Sequence, residues 1–71
     1  SLKATIYTAP WCQACKQAAA WLEQQGVEVE EVDYEEAPMD IHSLPTIVIG
    51  DEVLTGFNPA QLKRALRSVR K

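Results

Sequence analysis

The chain has 71 residues, 46% of them apolar, and its ten acidic and seven basic side chains leave a net charge of −3. That length predicts one domain over residues 1–71, near the lower limit for a core without staples, since so short a chain buries only about 60–65% of its unfolded surface. The apolar share is ordinary for a globular protein and speaks against a disordered chain, the acidic balance argues against a nucleic-acid partner, and no run approaches the ~18 apolar residues of a membrane span.

Lys3-Ala4-Thr5-Ile6-Tyr7-Thr8 favours β structure and stops at Ala9-Pro10, which predicts a first strand. Beyond it Cys15, Ala18, Ala19 and Leu22 recur at i, i+3, i+4 and i+7, the buried stripe of a helix, and Gly26 stands where a helix ends. Residues 27–34 return to β character, with an alternation that slips at Glu30-Glu31. Residues 37–44 lack a period, and Pro38 is a place for one helical turn to open. Thr46-Ile47-Val48-Ile49 is a β-branched strand, and Gly50-Asp51 turns it into Val53-Leu54-Thr55 as a hairpin. Asn58-Pro59-Ala60-Gln61 reads as an N-cap, an N1 proline and a glutamine at N3. Leu62, Ala65, Leu66 and Val69 then form the stripe of a last helix. The order predicts an α/β fold, a mixed four-stranded sheet with helices packed on it.

Charge is unevenly placed. Glu28, Glu30, Glu31, Asp33, Glu35, Glu36 and Asp40 crowd one stretch, and Lys63, Arg64, Arg67, Arg70 and Lys71 another. These read first as two solvated surfaces and second as a face that steers a charged partner.

The only two cysteines, Cys12 and Cys15, lie in Ala9-Pro10-Trp11-Cys12-Gln13-Ala14-Cys15-Lys16. As a staple they are poor, because closing a four-residue loop is worth only ~2 kcal/mol by chain entropy. A zinc site needs about four ligands, and the one imidazole, His42, leaves a lone chain short of them. A site shared by two chains stays open. As working thiols they are well placed. Cys12 falls at the start of a helix, where unpaired N–H groups and the positive dipole end favour a thiolate. Cys15 falls on the buried stripe, which suits a resolving thiol. Cys12 would attack a substrate disulfide, and Cys15 would then displace the product from Cys12.

Here the sequence resembles the thioredoxin/glutaredoxin superfamily, and within it the glutaredoxin-like redoxins of the NrdH type. The matching pieces are Ile6-Tyr7-Thr8 leading into Trp11-Cys12-Gln13-Ala14-Cys15, then Leu44-Pro45-Thr46, then Thr55-Gly56-Phe57-Asn58-Pro59. The resemblance implies a thioredoxin-like fold with sheet order 2-1-3-4, whose second helix is shortened or missing because only eleven residues separate Asp33 from Pro45. It implies a cis peptide before Pro45, with the Leu44 backbone pairing to an extended substrate. Cys12 and Cys15 would be catalytic, and Trp11, Gln13, Leu44, Pro45, Gly56 and Phe57 would contact substrate. No metal or bound cofactor is expected beyond the redox-active Cys12–Cys15 disulfide.

The departures bear on partners. Thr8 and Ala9 stand where glutathione-using relatives carry a basic residue, and Asn58-Pro59 replaces their acids. Ile6 occupies the position of the buried aspartate of thioredoxins. The expected function is therefore reduction of protein disulfides, with electrons from a thioredoxin-reductase-type flavoenzyme rather than glutathione. A protein such as ribonucleotide reductase is the expected acceptor, in a reducing cytoplasm, with the chain as a monomer. The rivals are a glutathione-coupled glutaredoxin, a metal-binding or metal-transfer module, and a non-catalytic interaction domain. Trp11 is read as a rim residue or as packing on the first helix, Trp21 as partly buried packing. His42 is read as a solvated loop side chain or a base near the site, Lys16 as pointing to water or as raising the potential near Cys12, and Phe57 as core or as part of the partner-binding rim.

Overall fold

A computed structural model describes residues 2–70. Its elements are β1 (Lys3–Thr8), α1 (Gln13–Gln24), β2 (Glu28–Asp33), a 3-10 turn (Tyr34–Glu36), β3 (Thr46–Ile49), β4 (Glu52–Thr55) and α2 (Pro59–Arg70). The sheet runs β2-β1-β3-β4, with β1 parallel to β2 and antiparallel to β3, and β3 antiparallel to β4. This is the mixed sheet of order 2-1-3-4 that the resemblance implies, in a thioredoxin-like fold. Among the described residues no helix is long and apolar enough to cross a membrane.

Local chemistry sets the element ends. At the exit of α1 the Gly26 N–H donates to the Glu23 carbonyl and the Val27 N–H to the Leu22 carbonyl, a Schellman pair. Gly26 takes φ +80°, which costs an L side chain backbone strain and glycine none. The buried Leu22 and Val27 add the apolar contact that usually accompanies this cap. At the start of α2 the Asn58 side-chain oxygen accepts from the N–H groups of Ala60 and Gln61, at 3.1 and 3.3 Å. Ile49 faces Glu52 across Gly50-Asp51, and Gly50 alone has positive φ, as at the first central position of a type II′ turn.

Side chains alternate across a sheet, so Ala4 and Ile6 of β1 share one face with Ile47 and Ile49 of β3. All four are buried in one cluster with Cys15, Ala18, Ala19 and Leu22 of α1 and Leu62, Ala65 and Leu66 of α2. Both helices therefore cover the same face, α1 over β1 and β2, α2 over β3 and β4. Arg70 ties them together by donating to the Gln25 carbonyl at 3.0 Å. On the opposite face Val53 is left 57% exposed.

Two expectations need correction. The single helical turn opens at Tyr34, not at Pro38. The Asp33 carboxylate accepts from the Glu35 N–H at 2.9 Å and caps it, and Ala37 is extended, as a residue before proline must be. Val69, the last member of the α2 stripe, is 37% exposed because it lies past the end of the buried cluster. The slip in β2 reflects its place at the sheet edge. Val29 and Glu31 face the α1 side, but Glu31 lies at the start of α1, in a cleft with Lys16 and Asp33, where water reaches it. Lys71, counted in the basic stretch, is outside the described residues.

Candidate active site

Cys12 is the N-cap of α1, in extended conformation, and its Sγ accepts a hydrogen bond from the Cys15 N–H at 3.1 Å. An anion at that sulfur would meet the same donor and the positive end of the helix. Cys12 and Cys15 are joined as a disulfide, with Cα atoms 5.3 Å apart. The two are unequal. Cys15 is fully buried, whereas Cys12 keeps 7% exposure and opens onto a groove. Cys12 is thus more sheltered than a helix-start position suggests, because Ala9 and the rest of the core cluster pack around it.

The groove is about 370 Å³ and is lined by Trp11, Cys12, Tyr34 and the loop residues Ile41, His42, Ser43 and Leu44. Trp11 is 72% exposed, and its ring meets that of Tyr34 edge-on, with centroids 6.5 Å apart. It reaches toward the 3-10 turn rather than lying on α1, so it forms a rim. The segment carrying Leu44 is held from behind. Leu44-Pro45 is a cis peptide, the Thr46 hydroxyl donates to the Ser43 carbonyl at 2.8 Å, and the Gly56 N–H donates to the Pro45 carbonyl at 2.8 Å.

The structure brings Trp11, Cys12 and Leu44 together on the groove, with the buried Pro45 directly behind Leu44 in the chain. Gln13 is exposed at the first position of α1, outside the groove walls. Gly56 and Phe57 are also outside them. Gly56 braces Pro45, and the Phe57 ring packs edge-on against Trp21 of α1 at 6.5 Å. Trp21 is half-buried by that contact. Lys16 is exposed and faces Glu31 and Asp33 across a separate cleft beside Thr8, Ala9 and Pro10. Sequence reasoning missed Tyr34, Ile41 and Ser43. The parallel pairing of Thr8 with Asp33 is the signal that finds Tyr34, since it sets the next residues, Tyr34 and Ala9, side by side at the same end of the sheet. Among the described residues no three His, Cys, Asp or Glu side chains gather in a way that would hold a metal ion.

The glutaredoxin family model matches residues 4–54, which contain the cysteine pair, the groove and all four strands but the first residue of β1 and the last residue of β4. The chain belongs to the glutaredoxin family. Among solved structures it is similar to the NrdH-redoxin of Escherichia coli, a glutaredoxin-like protein with a thioredoxin-like activity profile. The two share 26% identity over 87% of this chain and 92% of that one, with a TM-score of 0.74. It is similar also to a point variant of the thioredoxin-like protein BC3987, at 29% identity and a TM-score of 0.77, over 90% of this chain and 94% of that one. Among curated proteins it resembles the global transcriptional regulator Spx of Enterococcus faecalis, 35% identical over 48 residues. That match takes in 68% of this chain but 36% of the regulator, so this glutaredoxin-family chain spans about a third of that relative's length. Family membership and the joined CxxC pair make the chain a thiol–disulfide oxidoreductase, a small redoxin of the thioredoxin-like class.

Proposed function

We propose that this redoxin reduces disulfides of protein substrates, with Cys12 as the attacking thiol and Cys15 as the resolving thiol. The observation that carries the reading is the asymmetry of the pair. Cys12 caps a helix and opens onto a groove, while Cys15 is fully buried behind it. In the reduced chain the Cys12 thiolate attacks one sulfur of the substrate, forming a mixed disulfide and releasing the other sulfur as a thiolate. The Cys15 thiolate then attacks Cys12, closing the intramolecular disulfide and releasing the second substrate thiol. Two electrons pass to the substrate, and the chain cycles between dithiol and disulfide with no bound cofactor.

The groove's character supports a protein substrate over glutathione. Its walls are mainly Trp11, Tyr34, Ile41 and Leu44, and among the described residues no lysine or arginine lines it to meet the carboxylates of the tripeptide. An extended segment would lie along Leu44, with Trp11 and Tyr34 covering the side chain next to its cysteine. A thioredoxin-reductase-type flavoenzyme is accordingly the electron source. The thioredoxin-like activity profile of the similar NrdH-redoxin points the same way. A protein such as ribonucleotide reductase is the acceptor this reading favours. The work would be done by a monomer in the reducing cytoplasm.

A coupled assay tests the scheme. The chain is supplied with NADPH, thioredoxin reductase and a protein disulfide, and in parallel with glutathione and glutathione reductase. Turnover is expected in the first arm. Turnover confined to the glutathione arm would overturn the electron source, and turnover in neither would overturn the redox role.

A further inference from the structure

Both sulfurs sit where protons are hard to move. Cys15 has no exposed surface and is packed among Ala18, Ala19, Leu22 and Ile6, none of which can exchange a proton. The substrate sulfur that leaves Cys12 must depart into the groove. An ordinary alkyl thiol has a pKa of about 8.5, so at neutral pH that sulfur leaves as a basic anion. Around it would stand the Ile41 and Leu44 side chains, which stabilise no charge, and Trp11 and Ser43, which offer a neutral N–H and O–H but no readily transferred proton. Besides Cys12 itself, the titratable groups on the groove walls are the Tyr34 phenol and the His42 imidazole. Glu35, Glu36 and Asp40, its near neighbours along the chain, are not among those walls. Of the phenol and the imidazole, the imidazole is the side chain most often used to carry a proton to or from a reacting group.

We propose that His42 is the acid that protonates the substrate sulfur as it leaves Cys12. The proposal rests on the reading that the groove holds the substrate at Cys12. Before the step, Cys15 gives its proton to the substrate thiolate that the first exchange released. Its thiolate attacks the Cys12 Sγ, the Cys12–Cys15 bond forms, and the bond from Cys12 to the substrate sulfur breaks. The electron pair of the broken bond stays on the substrate sulfur, which takes the imidazolium proton. Neutral His42 recovers a proton from water. The dithiol is oxidised, the substrate disulfide is reduced to two thiols, and no further reactant is needed. Exposed on the loop before Pro45, His42 is open to water for that recovery.

The test compares leaving groups in stopped flow, using the full chain, reduced, as wild type and as His42→Gln. One substrate is the aromatic disulfide 5,5′-dithiobis(2-nitrobenzoate), whose acidic thiol departs without a proton. The other is a neutral peptide disulfide, whose alkyl thiol needs one. The ratio of the peptide rate to the aromatic rate is expected to fall at least ~10-fold in His42→Gln, below the usual range for a positioned acid because thiolates already leave well. Release of the second peptide thiol should follow a bell-shaped pH profile in wild type and only rise with pH in the variant. An equal loss on both substrates, which a merely structural role would produce, overturns the proposal, as does an unchanged ratio. Wild type that reduces neither substrate would instead sink the redox reading beneath it.

Discussion

Cys12 and Cys15 are separated by three positions and differ chiefly in what surrounds them. The N-cap position puts a backbone donor 3.1 Å from the Cys12 sulfur, and the buried stripe of α1 seals Cys15 from water. Their substitutions should therefore behave differently. Cys12→Ser is expected to abolish disulfide reduction, because no thiolate then meets the groove. Cys15→Ser is expected to let the first exchange proceed and to accumulate a mixed disulfide at Cys12, visible by mass spectrometry of the unreduced protein. If both variants behave alike, the division of roles fails. Tyr34 acts on the same site through shape. Its edge-on pairing with Trp11 is the kind of contact worth about 0.5–1.5 kcal/mol beyond area. Tyr34→Ala should thus raise KM for a protein disulfide by roughly 2–12-fold, that energy expressed as binding, with kcat less affected. Steady-state kinetics of the two proteins check it.

At the scale of elements, the caps do more to place chain ends than helix propensity does. Asn58 satisfies two N–H groups of α2, and Arg67 and Arg70 lie in the last turn, where the dipole favours positive charge. Asn58→Ala is expected to cost about 1 kcal/mol of unfolding free energy. Urea titration would show this as a lower midpoint with an unchanged slope. The short turn after β2 is the element with the largest consequence for chemistry. With one 3-10 turn in place of a longer helix, Tyr34 stays close to Trp11 and the loop before Pro45 comes to the groove. An aromatic residue at the end of β2 thereby becomes a wall of the site.

For the whole molecule, the decisive feature is that both helices cover one face of the sheet. The central strands β1 and β3 carry Ile6, Ile47 and Ile49 into that layer, all fully buried. Substitutions should therefore divide by face more than by residue type. Ile47→Ala is expected to cost about 2–5 kcal/mol through lost burial and the cavity left behind. Val53→Thr, on the uncovered side of the edge strand β4, should stay within ~0.5 kcal/mol of wild type. Equal losses at the two positions, measured by denaturant unfolding, would contradict the one-sided core.

Much of this was legible in the sequence because it rests on neighbours along the chain. The spans of β1 and β3, the buried stripe of α1, the Gly26 exit and the Asn58 cap all follow from spacing and from side chains that bond within a few residues. So does the placement of Cys12 at a helix start. The sheet order and the proline loop came instead through resemblance, in motifs scattered from Ile6 to Pro59. What the tertiary structure alone decided depends on segments brought together from a distance. Parallel pairing of β2 with β1 carries Tyr34 to Trp11, and the core contact of Trp21 turns Phe57 away from the groove. The bond from Arg70 to the Gln25 carbonyl and the exposure of Val69 are likewise set by how α2 lies on the sheet. Periodicity reports which face of an element is apolar. Which other element meets that face, and what groove is left between them, is fixed only when the chain packs.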